Sequence, residues 1–143
     1  MLRIESGNAW QKSAMSPNGM KNGWFFGSSR FINDDSLRQC EDMEIKWSIH
    51  HKGWDSGIKP CSPFLGMSIL IQGKFSILFR ETEADNWQEH WMITQGDFIV
   101  SKGGVQHISK AHEDSIILTV RLARDAETKI TSASPSAAQD ASP

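Results

Sequence analysis

Short runs of β-forming residues, separated by turn residues, are the feature that most constrains what this sequence folds into. In MEIKWSIH, residues 43–50, apolar and polar residues alternate with a period of two, as in a strand with two different faces. FLGMSILIQGKFSILFR, residues 64–80, holds two further runs that break at Gln72-Gly73. GDFIVS and DSIILTVRL add runs rich in Ile and Val, and no long stretch has a convincing helical period. The sequence therefore predicts an all-β sandwich or barrel.

Size and charge narrow the classes of function. The chain of 143 residues is sized for one domain, and its formal net charge is -2. Because the charges are balanced and interspersed, we expect no nucleic-acid partner. No apolar run approaches the ~20 residues that a bilayer span needs, and MLRIESGNAWQKS lacks the apolar core of a signal peptide. We therefore expect a cytoplasmic protein with no membrane partner.

Composition divides the chain into three parts. After Ala123 the sequence RDAETKITSASPSAAQDASP consists mainly of small residues, serine and proline, and such a segment buries too little apolar surface to offset its ordering entropy. We predict a disordered tail over residues 125–143 and a barrel over 41–124. The turn-rich residues 1–40 include the strand candidate NGWFFGSSRFI. They are expected to form an irregular extension that adds edge strands or covers one end of the barrel.

One segment carries a recognisable spacing of glycines and a histidine. GDFIVSKGGVQH, which begins at Gly96, resembles the second motif of the cupin superfamily, G-x5-P-x-G-x2-H-x3-N. Gly96, Gly104 and His107 fall in register, whereas Lys102 replaces the proline and Ala111 replaces the asparagine. Physically the pattern is a strand, a tight turn with positive-φ glycines and a return strand, which turns the histidine into the barrel.

The first motif of the same superfamily, G-x5-H-x-H-x3-4-E-x6-G, matches only in its glycines. Gly53 and Gly73 fall at the two framing positions. Lys59 and Cys61 stand where the motif has its two histidines, and Gly66 stands where it has the glutamate. The resemblance therefore implies a single-domain, cupin-like jelly-roll barrel in which the first metal half-site has been replaced.

The resemblance spans roughly residues 44–122 and bears on the cofactor. Cupin enzymes commonly hold a divalent iron, manganese, nickel or zinc ion with three histidines and one glutamate, and three of these four positions are replaced here. A protonated Lys59 would also repel a cation, so the expectation is that no metal cofactor binds. The alternative is a rebuilt site for a divalent transition metal, with His50, Cys61 and His107 as its ligands.

The polar face of residues 43–50 supplies candidate ligand-binding residues. If the apolar side chains of this strand pack outward, the polar ones line the barrel, where Arg121 of the last strand and His107 join them. Cations in such a lumen suit a carboxylate or a phosphate. A shift of one residue would reverse every side chain, so the opposite assignment remains open. The candidate ligand-binding residues are Glu44, Lys46, His50, Lys59, His107 and Arg121.

Three functions are compatible with these features. The first is a metal-independent cupin that binds a small anionic or sugar-like ligand in its barrel. The second is a small enzyme of the cupin type, isomerase-, epimerase- or dioxygenase-like, with the rebuilt metal site or with His107 as its acid–base group. His107 with Glu44, or His112 with Asp114, is a candidate dyad, although the segment of His112 and Asp114 is more simply a polar hairpin tip. The third is an oligomeric structural or regulatory module without a ligand. Whether the protein is an enzyme stays open, and a homodimer is expected because cupins commonly pair through edge strands.

Overall fold

A computed structural model describes residues 4–6, 9–11, 13–15, 23–32, 37–60 and 62–122. No helix occurs within these ranges, and the predicted all-β fold is confirmed. The strands are β1 Ile4–Ser6, β2 Ala9–Gln11, β3 Trp24–Phe26, β4 Met43–His50, β5 Leu65–Gln72, β6 Phe75–Arg80, β7 Gln88–Met92, β8 Phe98–Ser101, β9 Gln106–Ala111 and β10 Ser115–Leu122.

Two antiparallel sheets form the walls of the barrel. The larger has the order β3-β4-β10-β5-β8, the smaller has the order β7-β6-β9, and β1 pairs only with β2. Strand β10 lies at the centre of the larger sheet, with Arg121 opposite Glu44 of β4 and opposite Gly66 of β5. Both sheets contribute to one apolar core at one end of the barrel, formed by Leu70, Phe75, Ile77, Met92, Ala111 and Ile117.

The polar side of β4 faces the inside of the barrel. Lys46, Ser48 and His50 line the internal cavity, whereas Ile49 is 53% exposed on the outside. On β10 the inward residues likewise alternate and include Ile117, Thr119 and Arg121. The apolar side chains Ile45, Trp47 and Ile49 of β4 therefore lie on the outer face of the sheet, whereas Ile117 of β10 lies inside, so apolarity alone does not mark the inside of this barrel.

The two segments that resemble the cupin motifs meet across the barrel wall. The backbone N–H of Lys59 donates to the carbonyl of His107 at 2.8 Å. Of the Gly103-Gly104 pair in the turn before β9, Gly104 takes the positive φ of 84°, and its N–H donates to the carbonyl of Ser62 at 2.8 Å. This turn directs His107 into the cavity at the start of β9.

Gly73, in the turn between β5 and β6, packs closely against Asp114 and Ser115. Its φ is 101°, and a Cβ built there would lie 2.4 Å from the carbonyl oxygen of Asp114. We expect Gly73→Ala to lower the free energy of unfolding by about 2 kcal/mol, because backbone strain and overpacking add. Gly53→Ala is the matched control: its φ is 88° but its Cβ would meet nothing within 4 Å, so strain alone predicts about 1 kcal/mol. Equal losses in urea unfolding would contradict the packing argument.

The N-terminal part joins the larger sheet through β3. Trp24 of β3 pairs with Lys46 of β4, and the N–H of Gly27 donates to the carbonyl of Arg38 at 3.0 Å. The predicted tail, 125–143, lies outside the described residues. In the part of the chain that the structure covers, no helix is long and apolar enough to span a membrane.

Candidate functional site

A cavity of about 290 Å³ lies between the two sheets. It is near the lower end of the ~300–1,000 Å³ that ligand pockets usually enclose, which suits a small molecule. Hydroxyl groups, aromatic rings and cations all reach its wall. The polar and charged residues that line it are Lys46, Ser48, His50, Ser56, Lys59, Ser62, Ser68, Ser101, Lys102, His107, Ser109, Thr119 and Arg121.

Positive charge is concentrated in this cavity. Lys46, Lys59, Lys102 and Arg121 contribute to its wall, and no aspartate or glutamate does so among the described residues. Lys102 forms an ion pair with Glu81 at 2.9 Å, but both side chains are largely exposed, so this pair is weak. The charges of Arg121 and Lys59 both act on Lys46 and lower its pKa. Such a wall favours an anion inside it.

Glu44 lies behind this wall and is only 1% exposed. Its Oε2 accepts hydrogen bonds from Arg121 Nη2 at 2.7 Å and Arg121 Nε at 3.2 Å, while Oε1 accepts one from Arg30. Gly27 packs against it so closely that a Cβ there would lie 2.9 Å from the Cα of Glu44. Burial by itself raises the pKa of Glu44, but hydrogen bonds and charge from Arg30 and Arg121 outweigh it and hold the pKa below its usual value. Glu44 is therefore an anion that positions Arg121.

Aromatic rings fix the cations at this end of the cavity. The guanidinium carbon of Arg121 lies 4.2 Å from the ring centroid of Trp24 and 5.1 Å from that of Phe64. The Nζ of Lys46 lies 5.6 Å from the Trp24 ring. Cation–π contacts of this kind contribute roughly 0.5–2 kcal/mol each. Arg121 binds Glu44 through Nε and Nη2, and among the described residues its Nη1 has no hydrogen-bond partner and can donate to a ligand.

The other end of the cavity is aromatic. The ring of His50 stacks on Trp54 with centroids 3.7 Å apart, and it lies 5.7 Å from Phe75. Burial lowers the pKa of His50 to about 4, with a further contribution from the charge of Lys46. His50 is thus a neutral ring near pH 7 and forms part of a flat aromatic floor rather than a cationic site.

His107 also lines the cavity, within electrostatic range of Lys59 and Arg121. Its ring centroid is 6.3 Å from that of Phe79. Burial lowers the pKa of His107, and the charges of Lys59 and Arg121 lower it further. A neutral imidazole that faces the cavity has one nitrogen free to accept a proton and one that donates, so it can act as an acid–base group.

The side chains present do not fit the metal ion that the fold suggests. His107 is the one residue that matches a metal ligand of the two motifs, and the cations Lys59 and Arg121 act on its ring, which opposes a dication. His50 is stacked into the aromatic floor, and Cys61 lies outside the described residues. No group of three His, Cys, Asp or Glu side chains within those residues has the spacing of a metal site.

His112, the other histidine considered for catalysis, belongs to a cluster on the outer face of the smaller sheet. Its Nε2 lies 2.8 Å from the Oγ of the fully buried Ser76, and its ring stacks on Trp91 at 4.2 Å. Ser76 Oγ in turn donates to Glu89 Oε1 at 2.8 Å. The described side-chain contacts of His112 are therefore with Ser76 and Trp91, whereas Asp114 accepts from the backbone N–H of Lys52 at 2.8 Å.

The structure brings five of the six predicted ligand-binding residues to one cavity and places Glu44 just behind it. Sequence reasoning missed two kinds of residue. Trp24 and Arg30 come from the N-terminal part, whose strand signals are weak. Trp54, Phe64 and Lys102 lie in or beside loops, where no periodicity shows which way a side chain points. The only signal for Lys102 was its place at the proline position of the second motif.

Comparison with known proteins adds information on the fold. No protein-family model matches the sequence, and no curated protein matches it significantly. A cupin superfamily protein from Desulfitobacterium hafniense superposes with a TM-score of 0.51 and 14% identity, over 59% of this chain and 71% of that chain. A conserved protein of unknown function from Streptococcus pyogenes gives 0.50 and 24%, over 61% and 69%. KdgF from Halomonas sp. gives 0.50 and 17%, over 59% and 73%.

These likenesses concern the backbone, since all three identities are below 25%. They confirm the cupin fold that the two glycine motifs predict. They do not transfer a substrate or a reaction, because unrelated chemistries share such folds.

Proposed function

We propose that this cupin barrel binds a small organic anion, with the negative group at the cationic end of the cavity and an apolar or ring-shaped body over the aromatic floor. The observation that carries the proposal is the charge of the lining: four cationic side chains, and no carboxylate among the described lining residues. The Arg121 guanidinium, which contacts the Trp24 ring and is bound by Glu44, suits a carboxylate or a phosphate.

Hydroxyl groups extend the choice of ligand. Six serines and one threonine line the same cavity, and they can hydrogen-bond to the hydroxyls of a sugar-like body. The aromatic floor of Trp54 and His50 offers a flat face for a ring. The proposed ligand class is therefore a small acid with a ring or a sugar-like body.

A second candidate function is metal-independent acid–base catalysis by His107. It is favoured by the position of this neutral imidazole on the cavity wall and by the lowered pKa. A homodimer and a cytoplasmic location remain predictions. The edge strand β8, with Phe98 64% and Val100 53% exposed, supports pairing with a second copy, and sedimentation equilibrium would test it.

Anion binding is tested with matched pairs of charged and neutral probes. Phenyllactate, phenyl phosphate and glucose 6-phosphate are compared with phenyllactamide, phenol and glucose by thermal shift and tryptophan fluorescence. At about 100 times the Kd a ligand adds about 2.7 kcal/mol of stability, so the anions should raise Tm by several degrees.

Salt provides the control for this measurement. The shift caused by an anion should weaken as ionic strength rises, because the rim of the cavity is open to solvent. Equal shifts with charged and neutral partners, or no shift with any probe, would overturn the proposal.

A further inference from the structure

Lys46 occupies an unusual place for a lysine amine. It projects from the middle of β4 into the cavity, opposite Thr119 of β10 and beside the Trp24 ring. Glu44, the nearest carboxylate on the same face of β4, is bound on both oxygens by Arg30 and Arg121. No carboxylate lines the cavity among the described residues, so an ammonium at this position has no counter-ion there.

We infer that Lys46 forms a covalent imine with the carbonyl carbon of a 2-oxo acid bound in the cavity. The inference rests on the proposed anion site and names its ligand class and its reaction. A lysine becomes nucleophilic when an apolar surrounding or a neighbouring cation disfavours its charged form. Both conditions hold at Lys46: the aromatic Trp24 lies on one side, and Arg121 and Lys59 lie within electrostatic range.

The protonation state agrees with this geometry. Burial lowers the pKa of Lys46, and the charges of Arg121 and Lys59 lower it further. Among the described residues, the charges that act on Lys46 from neighbouring elements are these two cations, and the titratable groups on the same face of β4 are the neutral His50 and the paired Glu44. A lower pKa raises the fraction of free amine at neutral pH, and the free amine is the form that attacks a carbonyl.

The positions of Arg121 and Lys46 select a carbonyl next to a carboxylate. Since Lys46 pairs with Thr119, and Glu44 with Arg121, Lys46 and Arg121 are diagonal neighbours on one face of the sheet, with backbones roughly 7–8 Å apart. Both side chains are long, so a carboxylate on Arg121 leaves an adjacent carbonyl within reach of the Lys46 amine. The remaining cavity, over Trp54 and Phe75, then favours a flat apolar substituent, as in an aryl 2-oxo acid.

The step balances without an added oxidant or reductant. The Lys46 nitrogen pair forms a bond to the carbonyl carbon, the carbonyl π pair moves to oxygen, and the amine proton passes to that oxygen. The resulting carbinolamine gives up its remaining N–H proton while its hydroxyl takes up one, so that water leaves, the nitrogen pair forms the C=N bond, and both amine protons depart with the water. The acid–base group that we assign to these transfers is His107, whose imidazole lines the same cavity. Addition of water reverses the sequence and releases the acid.

Borohydride trapping tests the inference on the full chain. Phenylpyruvate is added, the imine is reduced, and intact mass is expected to rise by the mass of the probe minus one oxygen atom. Peptide mapping should place the adduct on Lys46. Phenyllactate, which has the carboxylate and the ring but no carbonyl, should bind without forming an adduct.

Two variants separate the imine from simple binding. Lys46→Arg keeps the charge but cannot form an imine, so it should bind phenyllactate, melt cooperatively and give no adduct. Lys52→Arg changes an exposed lysine outside the cavity and should leave the adduct unchanged. Phenyllactate binding with no adduct, or with an adduct on Lys59 or spread over surface lysines, would overturn the imine and leave the anion site standing. If neither probe binds, both proposals fail.

Discussion

Replacing Glu44 with glutamine is expected to lower the free energy of unfolding by about 3 kcal/mol at neutral pH, the lower end of the range for breaking a buried ion pair. The carboxylate is 1% exposed and holds two guanidinium groups. Without its charge, Arg30 and Arg121 repel each other across a neutral amide. The lower value is appropriate because Arg121 is 25% and Arg30 is 54% exposed, so water stabilises both cations in part. Urea unfolding measures the loss.

Glu81→Gln is the matched control for this result. It removes the charge of a carboxylate whose ion pair with Lys102 is also short, 2.9 Å, but whose partners are 65% and 71% exposed. Such a surface pair contributes about 0–1 kcal/mol. If both variants lose the same small amount, Glu44 is not the electrostatic anchor of the site. If Glu44→Gln is as stable as the parent but no longer binds phenyllactate, its role is limited to positioning Arg121.

The parent protein and Glu44→Gln should also differ in how their stability changes in acid. The pKa of Glu44 is below its usual 4.5 in the folded state, so the unfolded chain takes up a proton first as pH falls. The stabilisation by this carboxylate is complete above pH 4.5 and is lost as pH falls through the lower, folded pKa. His50, with a pKa near 4 instead of 6.5, destabilises both proteins alike between these values. The stability difference between parent and Glu44→Gln should therefore be constant near neutrality and shrink in acid.

Replacing Lys59 with glutamate is expected to weaken binding of a carboxylate probe on the order of 100-fold. The substitution removes a Coulomb attraction at the partly solvated rim of the cavity and adds a repulsion there. Lys59 is exposed, and its described hydrogen bond to the barrel comes from its backbone N–H and not from its side chain, so Lys59→Glu should fold normally. Calorimetric titration with phenyllactate measures the change. Lys52→Glu makes the same substitution outside the cavity and should alter the affinity little.

Lys59→Glu also has a readout that needs no ligand. The charge of Lys59 lowers the pKa of His107, so replacing it with a carboxylate should raise that pKa. A proton NMR titration of the imidazole resonances, with His107→Gln to assign the signal, follows this shift. An unchanged His107 in Lys59→Glu would mean that the lysine amine lies away from the cavity, and the anion proposal would lose one of its cations.

Much of the scaffold was predictable because strand periodicity and turn chemistry are local properties. The break at Gln72-Gly73 appears where β5 ends, and the motif glycines set the turn before His107. The alternation in β4 separates its two faces, but the sequence did not decide which face is internal. The polar face is internal, where its side chains line a cavity with charges and hydroxyl groups. In a barrel filled only by an apolar core, the isoleucines of β4 would instead point inward.

The site was less predictable because its charge pairing is not local. Arg30 meets Glu44 from the weakly patterned N-terminal part, and Arg121 meets it from the last strand. No spacing along the chain links these positions. Lys46, Arg121 and Glu44 looked like one set of ligand contacts in the sequence, but the fold divides them into two cavity cations and one hidden anion that orients the arginine.

Strand β3 has a practical consequence for any shortened version of this protein. A fragment that starts at residue 41 would keep β4 to β10 and still show the spectrum of a β protein. It would lose Trp24, whose ring contacts Arg121, and Arg30, which donates a hydrogen bond to one carboxylate oxygen of Glu44. In such a fragment the Arg121 side chain would be held less firmly. A fragment that keeps the complete candidate site must therefore begin before Trp24.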